Sequence, residues 1–581
     1  MKLIDHYLRL FGTFYEGEET QVKLTREAAA ETLGCSERNA IHVLNNLEEE
    51  GWMKRTKGRG RGNVTRATFM LSLEDAVDIY AEESDSHKDL QRFASLTREY
   101  GILEKDTSVM EQFFRHWFGT AGVSISGNET EDHLHIPYFR RFYSLDPAEA
   151  LRQSERHFTV HIFNTLFDWE PRTRRVVPGL AHHMEADPDG QEWTFYLRKD
   201  VCFHNGRILT AEDVVFSLHR LEWLDPFLES AEASDNLKVT VKLHEPLFAL
   251  PVLLTSATSA VVPAHLAGMS EEDFAIRPVG TGPFAVRNHD GEHLELAAHK
   301  RYFRERPHLD RITVHFLTSY EAFMNTEQIG NEPLPYLPFQ PAESTDGRGG
   351  LTVKRGLSVK YLIWNMKKDA VRNNDELRKK VFSLVDRDSL VADLGYPRER
   401  PAPSFFKTGR MADRLDPEDS PPEQEMTQHL VLVTYDLPPN REDADYLTQI
   451  CRSFGIEVHV RAVPYERFSE EAQKADLILA ESPSDEAEEA VLWGLFSAGI
   501  LPNLLDEDTL SRISVRLKDA AVRPELPERI GRLGRIEDLL ITDAAVLPLY
   551  WTYQKAAFSE RLKGVRLNAF GLVPFDELFF R

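Results

Sequence analysis

In the stretch 37-ERNAIHVLNNLEE-49, Arg38, His42, Asn45 and Glu49 recur at three- and four-residue steps. At about 100° per residue these four fall within roughly 40° of the Arg38 direction, and Asn46 flanks them. Ala40, Val43, Leu44 and Leu47 gather on the opposite side. Guanidinium, imidazole and carboxamide groups hydrogen-bond to base edges and phosphates, so the chemistry expected of this face is non-covalent recognition of DNA. Next in the chain comes 54-KRTKGRGRGNVTR-66. Residues 51–70 contain no Asp or Glu but six cations: Lys54, Arg55, Lys57, Arg59, Arg61 and Arg66. The formal net charge of the whole chain is −25, so the remaining 561 residues carry −31 between them. Any contact with a polyanion should therefore be local.

The segment 25-TREAAAETLGCSERNAIHVLNNLEEEGWMKR-55 reads as the scaffold for these groups: helix, tight turn, helix. Thr25 is a natural N-cap, Gly34 stops the first helix, and Ser36 caps a second helix that runs to about Glu50 before Gly51. A short polar helix presented after a tight turn is how helix-turn-helix modules enter the major groove. Trp52 and Met53 then begin a strand, residues 57–62 form a glycine-rich tip, and residues 64–71 return as a second strand. This is a β-hairpin wing whose cations suit phosphates or the minor groove. The competing reading, a nucleotide-binding glycine loop, lacks the Gly-Lys-Ser/Thr ending and the following helix. The bland one is a solvated hairpin without a ligand. Candidate DNA contacts are Ser36, Arg38, Asn39, His42, Asn45 and Asn46 on the helix, with Lys57, Arg59, Arg61 and Arg66 on the hairpin. Glu37 and the run Glu48-Glu49-Glu50 oppose binding, so one domain should bind modestly and salt-sensitively. A homodimer or tandem sites would compensate.

The 581-residue chain is too long for one core and suggests three or four globular units. With 42% hydrophobic and 28% charged residues it reads as a soluble multidomain protein. No apolar run reaches about 18 residues, so no membrane insertion is expected. The opening 1-MKLIDHYLRLFGTFYEGEET-20 does not read as an export signal. Three scattered cysteines, Cys35, Cys202 and Cys451, fit buried thiols in a reducing cytoplasm. No catalytic constellation emerges. The pair 182-HH-183 has no H-E-x-x-H or Cys/His company and reads as a surface helix end. Glu488 and Glu489 are adjacent and point to different sides of a helix, which rules out an acid/base pair. Neither enzyme activity, metal nor cofactor is expected.

Residues 72–119 read as helical, with Val109, Phe113 and Trp117 at helical steps, and 124-SISGNETED-132 as a linker. Beyond it, 193-WTFYLRKDVCFHNGRILTAEDVVFSLHRL-221 gives an alternating strand, a turn at Asn205-Gly206 and a helix capped by Thr210. This segment resembles the signature of family 5 extracytoplasmic solute-binding proteins. Further matches follow in order: 279-VGTGPF-284, 302-YFRERPHLDRITVHF-316, 361-YLIWNM-366, the helix 375-DELRKKVFSLVDRDSLVADL-394, a β-α-β unit over 430–463 and 547-LPLYWTYQKAAF-558. The resemblance covers roughly residues 133–581. It implies a bilobed binding domain at 133–581, which with the winged helix-turn-helix at 1–72 and the helical bridge and linker at 73–132 read from the residues makes a multidomain α/β chain. Within the last, 171–277 would be an inserted subdomain and about 330–540 the second lobe.

A winged helix followed by such a module resembles the SgrR family of transcriptional regulators, whose pattern is visible at 35-CSERN-39, 51-GW-52 and 58-GRGRGN-63. The resemblance implies a cytoplasmic regulator that binds double-stranded DNA and senses a small solute. The alternative is the extracytoplasmic solute-binding component of a peptide importer. By position in the resembled fold, Asn164, Trp169, Trp364, Asn365 and Trp551 are the cleft candidates. The stretch 474-KADLILAESPSDEAEEAVLWGLF-496 lacks the family's usual Asp-bearing peptide loop, so sugar, sugar phosphate and small peptide all remain open.

Overall fold

The computed structural model describes residues 2–16, 21–56, 65–84, 87–105, 109, 124–126, 129–150, 152–291, 293–316, 335–339, 349–407 and 428–581. The opening residues form α1 (Leu3–Phe14), which buries Ile4, Tyr7, Leu8, Leu10 and Phe11. Tyr7 lies at the centre of this core. Its ring meets Trp52 and Phe69 edge-on at 6.0 and 5.7 Å, and its hydroxyl donates to Leu71 O at 2.5 Å. The chain continues through β1 (Val22–Lys23), α2 (Arg26–Leu33), α3 (Glu37–Glu49), β2 (Met53–Thr56) and β3 (Arg66–Phe69). Thr25 Oγ1 accepts from Ala28 N (3.1 Å) and Ser36 Oγ from Asn39 N (3.3 Å). Gly34 and Gly51 sit at φ 64° and 75°, a conformation that costs other residues and so ends each helix there. The sheet has a third strand, in the order β1-β3-β2; two residues are too short for periodicity to reveal it.

α4 (Leu73–Glu82), α5 (His87–Glu99) and α6 (Ile102–Lys105) pack on this unit: Val77, Tyr80, Phe93 and Ile102 share one apolar cluster with Ile4, Tyr7 and Leu8. Gly12 permits the contact, since a Cβ there would lie 2.3 Å from Tyr100 O. Val109 is buried, whereas Phe113 and Trp117 lie outside the described residues. Where a linker is expected, β4 (Ser124–Ser126) and β5 (Glu129–Glu131) form a hairpin.

The first lobe is built on β6 (His133–Tyr138), which lies parallel to a strand some 180 residues later. Between them come the hairpin β7 (Phe167–Glu170) and β8 (Arg175–Pro178), then β9 (Ala181–Ala186), β10 (Glu192–Leu197), β11 (Leu228–Asp235) and β12 (Lys238–Leu243), paired in the order β11-β12-β10-β9. Trp193, Phe195 and Leu197 face inward, and the helix Ala211–Leu218 starts with a Thr210/Asp213 capping box. β13 (Phe284–His289), β14 (His293–Ala298) and β15 (Arg311–Phe316) complete the sheet β13-β14-β15-β6. The second lobe is one mixed sheet of β16 (Tyr336–Pro338), β17 (Gly349–Trp364), β18 (Arg398–Pro401), β19 (Gln428–Tyr435), β20 (Ile456–Val463), β21 (Leu477–Glu481) and β22 (Val546–Ser559). β19, the helix Pro438–Arg452 and β20 form the expected parallel unit.

Three local expectations change. Residues 375–394 are two helices, Asp375–Ser383 and Arg387–Leu394, because Asp386 Oδ1 accepts from Asp388 N and Ser389 N (3.0 and 3.3 Å) and starts a new one. His182 and His183 lie exposed on strand β9 rather than at a helix end. Cys35 is only half-buried, while Cys202 and Cys451 are buried. Glu489 pairs with Arg529 through two bonds of 2.5 and 3.0 Å, and Glu488 accepts from Lys407 N (2.7 Å).

Candidate DNA-binding surface and solute cleft

On α3, Ala40, Val43, Leu44 and Leu47 are buried, and Arg38, Asn39, His42 and Asn45 are exposed, with Asn46 half-buried. Burying a Leu or Val side chain contributes about 1.5–3 kcal/mol. The inner stripe therefore fixes the helix and leaves the outer stripe free to contact a partner. Ser36 is spent on the cap. Arg66 is exposed at the start of β3, on the base of the hairpin. Lys57, Arg59 and Arg61 lie outside the described residues. Glu48, counted above against DNA, is engaged internally: its carboxylate accepts from Arg55 N (2.7 Å) and Arg55 Nη2 (2.5 Å).

A cavity of about 1380 Å³ separates the two lobes. The first lobe lines it with Arg140, Arg152, Gln153 and Arg156, the second with Lys360, Tyr361, Tyr435, Tyr465, Glu481 and Asp485. The lobes touch across it. Arg152 Nη2 donates to Glu466 Oε1 (2.6 Å) and its guanidinium lies 4.1 Å from the Tyr465 ring centre. Gln153 Nε2 donates to Ser484 Oγ (2.6 Å), and Ser256 Oγ to Asp485 Oδ2 (2.9 Å).

The charges in the cleft are unequally matched. Burial alone would raise Glu481, but Lys360 (Nζ to Oε2, 2.9 Å) and Ser358 hold its carboxyl below the usual range. Burial pushes Asp485 up, against the Ser256 hydrogen bond and the nearby Arg156. Among the described residues Arg140 and Arg156 form no ion pair; Arg140 Nη2 donates to Ser154 Oγ (3.2 Å) and Arg156 Nε to Ala150 O (3.1 Å). Among the described residues, Arg140 Nε, Arg152 Nε and the Tyr361 hydroxyl are buried without a hydrogen-bond partner. Buried donors left unpaired cost free energy, so a solute rich in oxygen acceptors suits this wall.

None of the five cleft candidates from the sequence lines this cavity. Asn164 donates to the Tyr302 hydroxyl and accepts from Thr281 Oγ1, both at 3.1 Å, tying the Gly-Thr-Gly turn to the helix Gln153–Ile162. Trp169 is half-buried on β7. Trp364 is fully buried against Phe382, and Asn365 Nδ2 donates to Gln473 O and Ala475 O (2.9 and 3.0 Å). Trp551 is buried under Arg400, while its strand neighbours Tyr550 and Thr552 face the cavity. The residues missed carry a faint signal: Arg152 and Arg156 are one helical turn apart in 152-RQSERH-157, and 482-SPSD-485 follows a strand.

Two family profiles match. Residues 175–498 match the bacterial extracellular solute-binding proteins, family 5 (middle), and residues 2–108 match the sugar transport-related sRNA regulator N-terminal region. The chain is 27% identical over 601 residues to uncharacterized protein YhjP of Bacillus subtilis (strain 168), covering 99% of this chain and 98% of that one. It is 25% identical to the HTH-type transcriptional regulator SgrR of Yersinia pseudotuberculosis, covering 100% and 98%. The periplasmic binding protein DppA of Helicobacter pylori, solved with the peptide STSA, superposes with a TM-score of 0.65 at 18% identity over 77% of this chain and 98% of that one.

Proposed function

The chain belongs to the bacterial extracellular solute-binding proteins of family 5, and we propose that it is a transcriptional regulator that binds DNA through its N-terminal winged helix and senses a small solute in the cleft. The observation that carries this reading is the exposed Arg38/Asn39/His42/Asn45 stripe of α3, set beside a hairpin in the same chain that encloses a two-lobed cavity. α3 supplies base-edge and phosphate contacts, the hairpin cations grip the backbone, and both act without covalent chemistry. DNA as the partner places the protein in the cytoplasm. The modest surface of one such module favours pairing two copies on a two-fold operator.

The solute is a sugar, sugar phosphate or small peptide whose oxygen atoms satisfy Arg140, Arg152, Arg156 and Tyr361. It acts by binding one arrangement of the lobes more tightly than the other, since equal affinity for both would shift nothing. The test uses the purified full-length chain and duplexes from the region upstream of its own gene. Anisotropy at low ionic strength should show binding that weakens steeply with salt. A panel of sugars, sugar phosphates and dipeptides should include one that raises the melting temperature and changes DNA affinity. Absence of DNA binding with and without every panel member overturns the reading.

A further inference from the structure

Resting on that DNA-binding reading, we infer that Glu48 and Arg55 form a positioning device that turns the Asn45 amide into a hydrogen-bond donor toward DNA. Arg55 lies on β2 at the base of the hairpin and reaches back to α3. Its Nη2 donates to Asn45 Oδ1 at 2.6 Å and to Glu48 Oε2 at 2.5 Å, while its backbone N–H donates to Glu48 Oε1 at 2.7 Å. A guanidinium has only donors, so the amide atom facing it must be the oxygen. The orientation of Asn45 is thus fixed by chemistry, and a charge-assisted bond holds it.

The consequence concerns specificity. Asn reads adenine by accepting from N6–H and donating to N7 with oxygen and nitrogen side by side on the base edge. With one lone pair of its oxygen engaged by Arg55, the exposed Asn45 keeps both amide N–H donors to offer a partner, while its oxygen has one acceptor site left. The donors suit an acceptor: guanine O6/N7 or a phosphate oxygen. The same contacts tie the hairpin base to the recognition helix, so Glu48 spends its charge on Arg55 rather than against the duplex. A sequence count of acids and bases cannot show this.

The experiment selects bound sites from a randomised duplex pool with full-length wild type, Asn45→Ala, Asn45→Asp and Arg55→Met, then measures Kd on single-base variants. For wild type, the position that Asn45→Ala relaxes should carry guanine rather than adenine; if Asn45→Ala instead weakens all sequences equally, the donor meets a phosphate. Asn45→Asp, which presents no donor, should lose about tenfold or more in either case. For a base contact, Arg55→Met should free the amide and let adenine compete at that position. For a phosphate contact, the uniform loss on Asn45→Ala should be smaller when the substitution is made in the Arg55→Met protein, measured with the double variant. Adenine preferred by wild type at the Asn45 position, or an Arg55→Met protein indistinguishable from wild type in both preference and affinity, overturns the inference. If Arg55→Met fails to fold, Glu48→Gln, which loosens Arg55 while keeping its charge, gives the same readout. Failure of wild type to bind any duplex is a separate result and removes the DNA reading itself.

Discussion

The stripe proposed to read base edges sits on one 13-residue helix, whereas the cleft gathers side chains from Phe139 to Gln554. On α3 the groups that stabilise and the groups that contact are two stripes of the same helix, pointing apart. In the cleft they are intermixed: Tyr550 faces the cavity and also donates to Asp443, and Lys360 lines the wall while pairing with Glu481. The difference implies that contacts on α3 can be removed without loss of fold, whereas the cleft depends on buried ionic groups behind it.

The largest effect is expected at those supports. Arg398 and Asp443 are both fully buried side chains joined at 2.7 Å, and Arg398 also donates to Pro439 O (2.8 Å). Removing one partner strands the other charge in the interior, so Arg398→Ala should cost about 3–5 kcal/mol. The denaturant midpoint of the transition assigned to the lobes should fall, while DNA affinity of the folded protein in the cold stays unchanged. A midpoint within error of wild type breaks the contrast, because the cleft would not then be held from behind.

A second support is sensitive to acid. The helix Gln153–Ile162 carries Arg152 and Arg156 toward the cavity and buries His157 and His161. Burial lowers His161 from 6.5 to about 4, against Asp576 and Glu577, which oppose the shift, and drives His157 in the same direction. Above pH 6.5 the ring is neutral folded and unfolded and adds no slope. Between about 6.5 and 4 the unfolded chain takes up the proton and the folded chain does not. Stability therefore falls as pH falls, by about 1.4 kcal/mol per unit for each such histidine, and levels off below the folded value. His161→Gln should remove one proton's worth of that slope in melting curves taken from pH 7 to 5. An unchanged slope would detach this helix from the acid response.

How much could be read in advance follows the same division. Thr25, Gly34, Ser36 and Gly51 fix both helices of the N-terminal unit within a few residues of one another, so capping and periodicity expose them, and the outer stripe follows from the inner one. The fold of the lobes was legible through 193–221 and its companions because each motif is one contiguous local segment: a strand–turn–helix at 193–221, and strands, turns, helices or a β-α-β unit in the others. The cleft was not. Trp551 lies between the wall residues Tyr550 and Thr552, yet strand alternation turns it into the core, and Trp364 and Asn365 lie beyond the last wall residue of β17, Tyr361, and are buried as well. Arg140, Arg156 and Asp485 become neighbours only after both lobes fold, which no local pattern records. Glu48 shows the same limit in miniature: its partner lies seven residues on, across a turn.

The smallest effect on stability is expected at Arg38, and it probes the contrast from the other side. Its side chain is exposed in the first turns of α3, opposite the stripe of Ala40, Val43, Leu44 and Leu47. Arg38→Ala should leave the melting temperature unmoved, because exposed substitutions away from caps and cores usually change stability by no more than about 0.5 kcal/mol. DNA affinity should fall by about 1–3 kcal/mol if the guanidinium reads a base edge. If it meets a phosphate, the logarithmic salt slope should drop by about one unit for all sequences alike. The two results separate base reading from backbone grip at the same residue. A variant that loses stability while keeping its full affinity and salt slope would mean that the outer stripe also builds the fold, and the division of labour on α3 would collapse into the intermixed arrangement of the cleft.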